Sequence, residues 1–377
     1  MAARPKALKV PFDVHGVVPR HQVVVKGAID LALSPDAETF AVASRDVPVA
    51  LFDRSAQSIG ALESGAEHIA WSNDGKRIAT LRGEWKGNDT NAIIEVHTWP
   101  GKERVATCEL PNWGTVSHAL CGSGAPVLAF GANDTHLYIR SANMRSDEGK
   151  NVLGVLDIAK NELATHSLSD DSYLFSIAVD GDRVYALFSE AHVGLMVLDA
   201  KTLAVRSKAK ISGEQVLPGK SGAWVIGDRA WAHRIGEGRP AVIRKADKER
   251  RWARLQELMH RAKAKWDVDH LKYLEGLDLD KPDASPGARA LLHAEPWGIP
   301  QGERFGDDDL IVRDGVRVAR WHEAAGELEV TPLIEDLQRA TTAKGRHLLL
   351  SVRKTTLALG WRKAMNDDIT VTLFDIE

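Results

Sequence analysis

Cysteine is almost absent from this sequence, and so are long apolar runs. The 377 residues include only two cysteines, Cys108 and Cys121, which excludes a disulfide-rich fold and a zinc site built from four thiolates. No stretch approaches the roughly 20 consecutive apolar residues that a membrane-spanning helix needs. We therefore expect buried, reduced thiols in a cytoplasmic, bacterial protein that does not contact a membrane.

The chain also lacks a strong excess of charge of either sign. Lysine and arginine number 49 and aspartate and glutamate 52, for a net charge of −3. No global field therefore draws the protein to nucleic acid or to a membrane surface. Tyrosine is scarce, whereas tryptophan occurs 11 times. Tryptophans in or beside predicted strands are expected to fill the core, namely Trp71, Trp99, Trp224, Trp231 and Trp321.

The motifs of common catalytic sites are missing. There is no G-x-S-x-G elbow, no phosphate-binding P-loop and no H-E-x-x-H zinc motif. The acidic clusters 267–270 and 307–309 lack the alternating ligand spacing of a calcium loop. We therefore expect a protein without a metal or a cofactor, and not an enzyme.

What the sequence does contain is a repeat of turn and strand. Four short apolar runs end in aspartate, at Asp53, Asp157, Asp199 and Asp375. Turn signals lie upstream of such runs, at Ser34-Pro35-Asp36-Ala37, Ser72-Asn73-Asp74-Gly75 and Asp180-Gly181-Asp182. A regular series of short strands and turns predicts a closed all-β fold in which one unit recurs.

The repeat predicts a β-propeller of seven blades. Third strands are expected to end near seven positions, namely Asp53, His97, Asp157, Asp199, His233, His322 and Asp375. Six or eight blades remain alternatives, because the fifth and sixth repeats are indistinct. The strand pattern of the sixth repeat resumes at Leu291 and Leu292, after a long interruption.

The last repeat has no outer strand of its own. The segment 21–26 precedes the first repeat and belongs to no other, so we expect it to close the ring as the missing strand. Closure of this kind removes sheet edges that would otherwise be exposed. We assign residues 1–20 to an N-terminal extension and residues 21–377 to the propeller.

The interruption, residues 245–287, predicts a helical insertion followed by a turn-rich linker. Asp247 can cap the helix and Gly276 can end it. The helix is basic, which favours an acidic protein surface as its partner and disfavours nucleic acid. The alternative is a solvated helix held on the rim by Trp252 and Trp266. The candidate binding residues are Arg250, Arg251, Arg254, Arg261, Lys263 and Lys265.

Two long connections form a second candidate surface. Residues 82–90 and 141–151 each join a second to a third strand, so both are predicted to be loops on one face of the ring. Trp85, Lys86 and Arg145 lie in them, and an exposed tryptophan can anchor an interface. The alternative is that Trp85 folds back onto its own sheet.

The repeat resembles that of the WD40-like β-propellers. Phe52-Asp53, Leu156-Asp157, Leu198-Asp199 and Phe374-Asp375 stand where that group has Trp-Asp. The Gly-His dipeptide of the group is not recognisable in most repeats. The resemblance implies a non-catalytic scaffold or adaptor in a multiprotein complex, with another protein as partner. A metal-dependent hydrolase or lactonase with a site in the central channel, where His68 and His118 lie, and a channel-binding sensor are the alternatives.

Overall fold

The computed structural model describes 254 of the 377 residues. These are residues 8–86, 89–114, 127–143, 150–169, 172–189, 192–211, 213, 215–219, 222–227, 231–235, 241–243, 301–306, 309–313, 317–324, 327–335, 337, 348–362 and 368–377. Every regular element among them is a β-strand. In this part of the chain no helix is long and apolar enough to cross a membrane.

The strands form seven antiparallel sheets. Strands β1 (Asp13–Val14) and β2 (Val17–Val25) join sheets made mainly from the end of the chain. Sheet 1 contains β3 (Ala28–Leu33), β4 (Thr39–Ser44), β5 (Ala50–Asp53) and β6 (Ser58–Ala61). Sheet 2 contains β7 (His68–Trp71), β8 (Arg77–Lys86), β9 (Asp89–Thr98) and β10 (Arg104–Leu110).

The next three sheets repeat this order. Sheet 3 contains β11 (Leu128–Phe130), β12 (His136–Arg140), β13 (Val152–Asp157) and β14 (Glu162–Ser167). Sheet 4 contains β15 (Leu174–Asp180), β16 (Arg183–Phe188), β17 (Leu195–Asp199) and β18 (Val205–Ala209). Sheet 5 contains β19 (Gln215–Gly219), β20 (Gly222–Gly227), β21 (Trp231–Ile235) and β22 (Ala241–Ile243).

The last two sheets also take in the N-terminal strands. Sheet 6 contains β23 (Gln301–Phe305), β24 (Asp309–Arg313), β25 (Val318–Ala324) and β26 (Glu327–Glu335), with β1 on the outside. Sheet 7 contains β27 (Leu349–Arg353), β28 (Thr356–Trp361) and β29 (Ile369–Ile376), with β2 as its outer strand.

The first strand of each sheet faces the centre, and these first strands close a ring. Contacts run from β3 to β7, β11, β15, β19, β23 and β27 in turn, and from β27 back to β3. Burial follows this arrangement, because all six residues of β4 are buried whereas β14 is largely exposed. Central strands that pack on both faces are largely apolar, as expected. The protein is therefore an all-β propeller.

The predicted closure by the N-terminal strand is confirmed. Strand β2 pairs antiparallel with β29 from Val17 opposite Ile376 to Val25 opposite Ile369. The pairing begins before His21, within the segment that we assigned to the extension. A second contact was not foreseen: Asp13 and Val14 pair with the end of β26. The N-terminal chain thus joins two successive sheets.

Two details of the sequence interpretation are wrong. Residues 82–86 and 89–90, expected in a loop, continue strands β8 and β9 as a hairpin. The inner strand of sheet 6 is Gln301–Phe305, which we did not predict. Leu291, Leu292 and the helical insertion 245–287 lie outside the described residues.

Candidate functional site

Antiparallel connectivity gives the ring two distinct faces. The turns from first to second and from third to fourth strands lie on one of them, here called the turn face. The connections from second to third strands, and those from one sheet to the next, lie on the other, here called the loop face. The β8–β9 connection belongs to the loop face. Ile243, at the end of β22, and Gln301, at the start of β23, also lie on the loop face, and the segment 245–287 falls between them in the sequence.

The hairpin of β8 and β9 extends beyond its own sheet on the loop face. The inner strand β7 pairs with β8 only from Ile78 to Leu81, because the pairing ends with His68 opposite Leu81. From Gly83 to Lys86, β8 pairs with β9 alone. Trp85 stands on this extension, and its side chain is 57% exposed. The alternative in which Trp85 folds back onto the sheet is therefore wrong.

A buried ion pair holds the inner side of the hairpin base. Glu67 is fully buried and forms a salt bridge with Arg45, which follows β4 of the neighbouring sheet. Its other oxygen accepts a hydrogen bond from the backbone N–H of Gly83 at 3.2 Å. A buried carboxylate is stable only with such partners. Sheet 1 therefore fixes the direction in which the hairpin leaves sheet 2.

The connection from sheet 2 to sheet 3 holds the outer side. Gly114 N donates to Thr90 O at 2.9 Å, and Asn112 N donates to the side-chain oxygen of Asn91 at 3.2 Å. A Cβ on Gly114 would lie 2.5 Å from Asn91 O, so only glycine fits this approach. With both sides anchored, Trp85 is presented on a fixed support.

The loop of sheet 3 joins the same structure. Asn143 donates from its amide to Asn112 O at 3.0 Å, and Ala142 N donates to Trp113 O at 2.9 Å. The β8–β9 hairpin, through Thr90, and residues 142 and 143 therefore both bond to the connection from sheet 2 to sheet 3, residues 112–114. Around Trp85 the described charges are mixed, since Arg82 and Glu84 lie 3.6 Å apart near the surface.

The remaining predicted binding residues are not described in full. Lys86 lies in β8. Outside the described residues lie Arg145, Arg250, Arg251, Arg254, Arg261, Lys263 and Lys265.

Among the predicted core tryptophans, Trp71, Trp224 and Trp321 are buried. Cys108 is part-buried, and burial raises the pKa of its thiol to about 12.

Polar side chains on the inner strands form a second group. Asp30 is part-buried and accepts hydrogen bonds from Leu31 N at 2.8 Å and from Ile69 N, on the next inner strand, at 2.9 Å. Burial raises the pKa of Asp30 to about 7, although these two bonds oppose the shift and the charge of Glu303 adds to it. Burial, with the charge of Arg140, lowers the pKa of His68 to about 3.

The same kind of bond links other inner strands. Ser176 accepts from Val216 N at 3.1 Å, and Ser351 accepts from Leu33 N at 3.0 Å. Gln215 accepts from Gly302 N at 2.7 Å and donates to Gly302 O at 3.0 Å. Because the free edge of an inner strand carries unpaired backbone groups, these side chains satisfy the edge of the next sheet. These polar side chains therefore serve to hold neighbouring sheets together.

The strand-ending aspartates are structural too. Asp53 accepts from Ser55 N and Gln57 N, both at 2.9 Å, and Asp199 accepts from Lys201 N at 3.0 Å and Thr202 N at 2.9 Å. These bonds fix the turn that follows the third strand, which is a common use of aspartate. The repeat therefore marks turn geometry and not a binding site.

No metal centre is evident in the parts of the chain that the structure describes. No group of three or more His, Cys, Asp or Glu side chains there is placed to hold an ion. Glu95 and His97 form a buried acidic–histidine pair, with His97 Nε2 3.5 Å from Glu95 Oε2. These side chains lie between sheets 1 and 2 and away from open solvent.

Comparison with solved structures supports the propeller geometry. RRP9 WD40 repeats align with a TM-score of 0.58 at 13% identity, over 96% of this chain and 100% of that one. A chain of the mitotic checkpoint complex aligns with a TM-score of 0.54 at 12% identity, over 99% of both chains. The protein has a WD40-type propeller fold.

A third similar structure extends the comparison to a β-propeller domain from Myceliophteria thermophila, Cps50 (Swd1). It aligns with a TM-score of 0.55 at 9% identity, over 96% of this chain and 100% of that domain. No protein-family profile and no curated protein sequence matches the chain. The WD40-type fold therefore rests on geometry, and at these identities the likeness extends to the fold alone.

Proposed function

We propose that this WD40-type propeller is a non-catalytic scaffold or adaptor subunit that binds another protein through its loop face. The observation that carries the proposal is Trp85, 57% exposed on a hairpin that is anchored on both sides. An exposed tryptophan on a rigid support gives a partner a large contact area at little entropic cost. One of the similar solved structures belongs to a multiprotein assembly, the mitotic checkpoint complex.

We further propose that the segment 245–287, whose first part, residues 245–266, is basic, contributes to the same surface. It lies between β22, the outer strand of sheet 5, and β23, the inner strand of sheet 6. Such a connection starts and ends on the loop face, where the hairpin also lies. Its arginine and lysine side chains would favour an acidic partner and would make association depend on salt concentration.

The blade number belongs to this proposal as well. We propose that each of the seven sheets acts as one blade. The order of contacts among the seven inner strands, which returns from β27 to β3, supports seven. A cytoplasmic location is proposed from the thiol: Cys108 is unpaired among the described residues and part-buried, as is usual in a reducing compartment.

The test is a quantitative affinity purification from the native source. Trp85→Ala should lose a partner that the wild type and Val205→Ala both retain. Val205 is a matched control, because it is 49% exposed but lies on the outer strand β18. Deletion of residues 247–275 should weaken the same partner, most strongly at low salt. Identical partner abundance in all four proteins would contradict the proposal.

A catalytic role for the centre of the ring is the alternative that one observation favours. Asp30 has a pKa of about 7, in the range of a general base, and it lies on an inner strand. Elemental analysis of purified protein would decide between the two. A stoichiometric divalent ion that is lost in Asp30→Ala would favour the enzyme, and its absence would favour the scaffold.

A further inference from the structure

Asp375 is the one strand-ending aspartate of the repeat that has no turn to hold. Strand β29 is followed in its sheet by β2, which comes from the other end of the chain. The backbone donors that Asp53 and Asp199 receive from their turns are therefore missing at Asp375. Two arginines take their place: Arg20 Nε donates at 2.7 Å and Arg54 Nη2 donates at 3.1 Å.

Both arginines are positioned by specific features of the backbone. Arg20 is the extra residue of a β-bulge, since Pro19 pairs with Phe374 and His21 pairs with Leu373. A bulge redirects a side chain that would otherwise follow the alternation of the strand. Arg54 lies in the turn that Asp53 fixes, and its own N–H donates to Glu38 O at 2.9 Å. The two guanidinium groups therefore converge from two sheets.

A cleft of about 280 Å³ opens beside Asp375. Its walls include Arg20, His21, Arg54, Ser55, Thr356 and Asp375. The arginine side chains are 48% and 46% exposed, so the cleft is open to solvent. Two guanidinium groups face one carboxylate inside it, and the next carboxylate, Glu38, is 3.6 Å from Arg54 Nη1 and 63% exposed.

Each guanidinium carries five N–H donors in a planar fork. The bonds to Asp375 use only Nε of Arg20 and Nη2 of Arg54, so further donors are available to a ligand. Two convergent forks suit a tetrahedral dianion with several oxygens better than a single carboxylate. The hydrogen bonds and charges of the two arginines lower the pKa of Asp375 although burial opposes this. Asp375 therefore competes with an incoming anion.

We propose that this cleft, here called the seam site, binds a phosphate group, either as inorganic phosphate or as the phosphate of a monoester. Arg20 and Arg54 would donate to its oxygens, and Asp375 would set a weak basal affinity by occupying the same donors. The seam site lies on the turn face, opposite Trp85, so a phosphorylated ligand and a protein partner could be bound together. The site does not depend on the function proposed for the loop face.

Calorimetric titration with inorganic phosphate at constant ionic strength tests the seam site. Arg54→Gln and Arg20→Gln should each weaken binding about tenfold, the ratio that corresponds to 1.4 kcal/mol. Asp375→Asn should strengthen it, because it frees both guanidinium groups. A structural role alone would not predict a gain in affinity from the loss of this carboxylate.

Arg206→Gln is the matched control. Arg206 also pairs with a strand-ending aspartate on the turn face, Asp199, but there the following turn is present. It should leave phosphate binding unchanged. Phosphoserine should bind as inorganic phosphate does if the ligand is a monoester, and acetate should bind more weakly than either.

Three results would overturn the proposal: no saturable binding of phosphate, equal weakening by Arg206→Gln and Arg54→Gln, or weaker binding by Asp375→Asn. Should Asp375→Asn fail to fold, the comparison of Arg54→Gln with Arg206→Gln decides alone. Arg54→Gln leaves the hydrogen bond from Arg20 to Asp375 in place. Asp375 of sheet 7 therefore keeps one of its two arginine partners in this variant.

Discussion

The carboxylate of Asp30 accepts the backbone N–H of Ile69 at 2.9 Å and so joins the inner strands of sheets 1 and 2. The bond places an ionisable group among the inner strands, where burial disfavours its charge. Its pKa is raised to about 7 from an ordinary value of 3.8. The junction between these two sheets should therefore respond to pH near neutrality.

The first prediction concerns the stability of Asp30→Asn. Between pH 4 and 7 the folded protein keeps a proton on Asp30 that the unfolded chain releases, so the contribution of Asp30 to stability falls as pH rises through that window. The variant does not titrate there. Its free energy of unfolding relative to the wild type should therefore be higher at pH 8 than at pH 5. Urea denaturation at both values measures this, with exposed Asp46→Asn as control. An equal difference at both pH values would contradict it.

The second prediction has the opposite sign and concerns Glu95. Hydrogen bonding from His97 lowers the pKa of Glu95, burial opposes this, and Ser64 and Arg104 add to the lowering. Stability from this carboxylate is present above its ordinary value of 4.5 and is lost as pH falls. Glu95→Gln should therefore flatten the loss of stability below pH 4.5. Exposed Glu103→Gln serves as control and should follow the wild type. If Glu95→Gln loses stability below pH 4.5 as steeply as the wild type, the prediction is wrong.

The third prediction concerns the support of the Trp85 hairpin. Glu67→Gln should destabilise the protein by about 3 kcal/mol, because it leaves Arg45 part-buried without its counter-charge. It should also weaken the bond to Gly83 N and so speed amide hydrogen exchange in residues 83–86. Glu84→Gln breaks an exposed pair with Arg82 and should cost less than about 1 kcal/mol. Unchanged exchange in Glu67→Gln would show that the ion pair does not position the hairpin.

The fourth prediction concerns the N-terminal closure. Phe12 is buried and packs edge-on against Trp361, with ring centroids 5.9 Å apart. Phe12→Ala should cost about 3–5 kcal/mol, the usual range for a buried phenylalanine. Val24→Ala, on the exposed face of β2 at 62% exposure, should change stability by less than about 0.5 kcal/mol. Thermal unfolding of both variants measures the difference. Similar melting temperatures would mean that residues before β2 contribute little.

Sequence patterns located most strands, because burial between neighbouring sheets imposes apolar residues. The turn signals at residues 34–37 and 72–75 lie between β3 and β4 and between β7 and β8, as expected of turns that separate strands. Counting strands in the last repeat was enough to predict that β2 closes the ring. The two-residue contact of β1 with β26 was not predictable, since so short a pair leaves no periodic signal.

The errors share a physical origin. Residues 82–86 form a strand beyond the sheet, where Trp85 is exposed and nothing imposes a buried face, so their polar sequence suggested a loop. Strand β23 contains Gln301, Glu303 and Arg304, whose polarity hides an inner strand that lines the centre. Asp30, Ser176 and Ser351 accept hydrogen bonds from neighbouring inner strands. These bonds depend on which sheets lie side by side, and the composition of the sequence does not show that.

The pairing of β2 with β29 also sets an order of events during synthesis. Strand β2 leaves the ribosome long before its partner, which is about 350 residues further on, by the separation of Gln22 and Thr372. Until then its nine residues can find only wrong partners, and an unpaired strand invites aggregation. Contacts so distant in sequence form slowly. A nascent chain of this protein should therefore depend on chaperones most in the interval before β29 emerges.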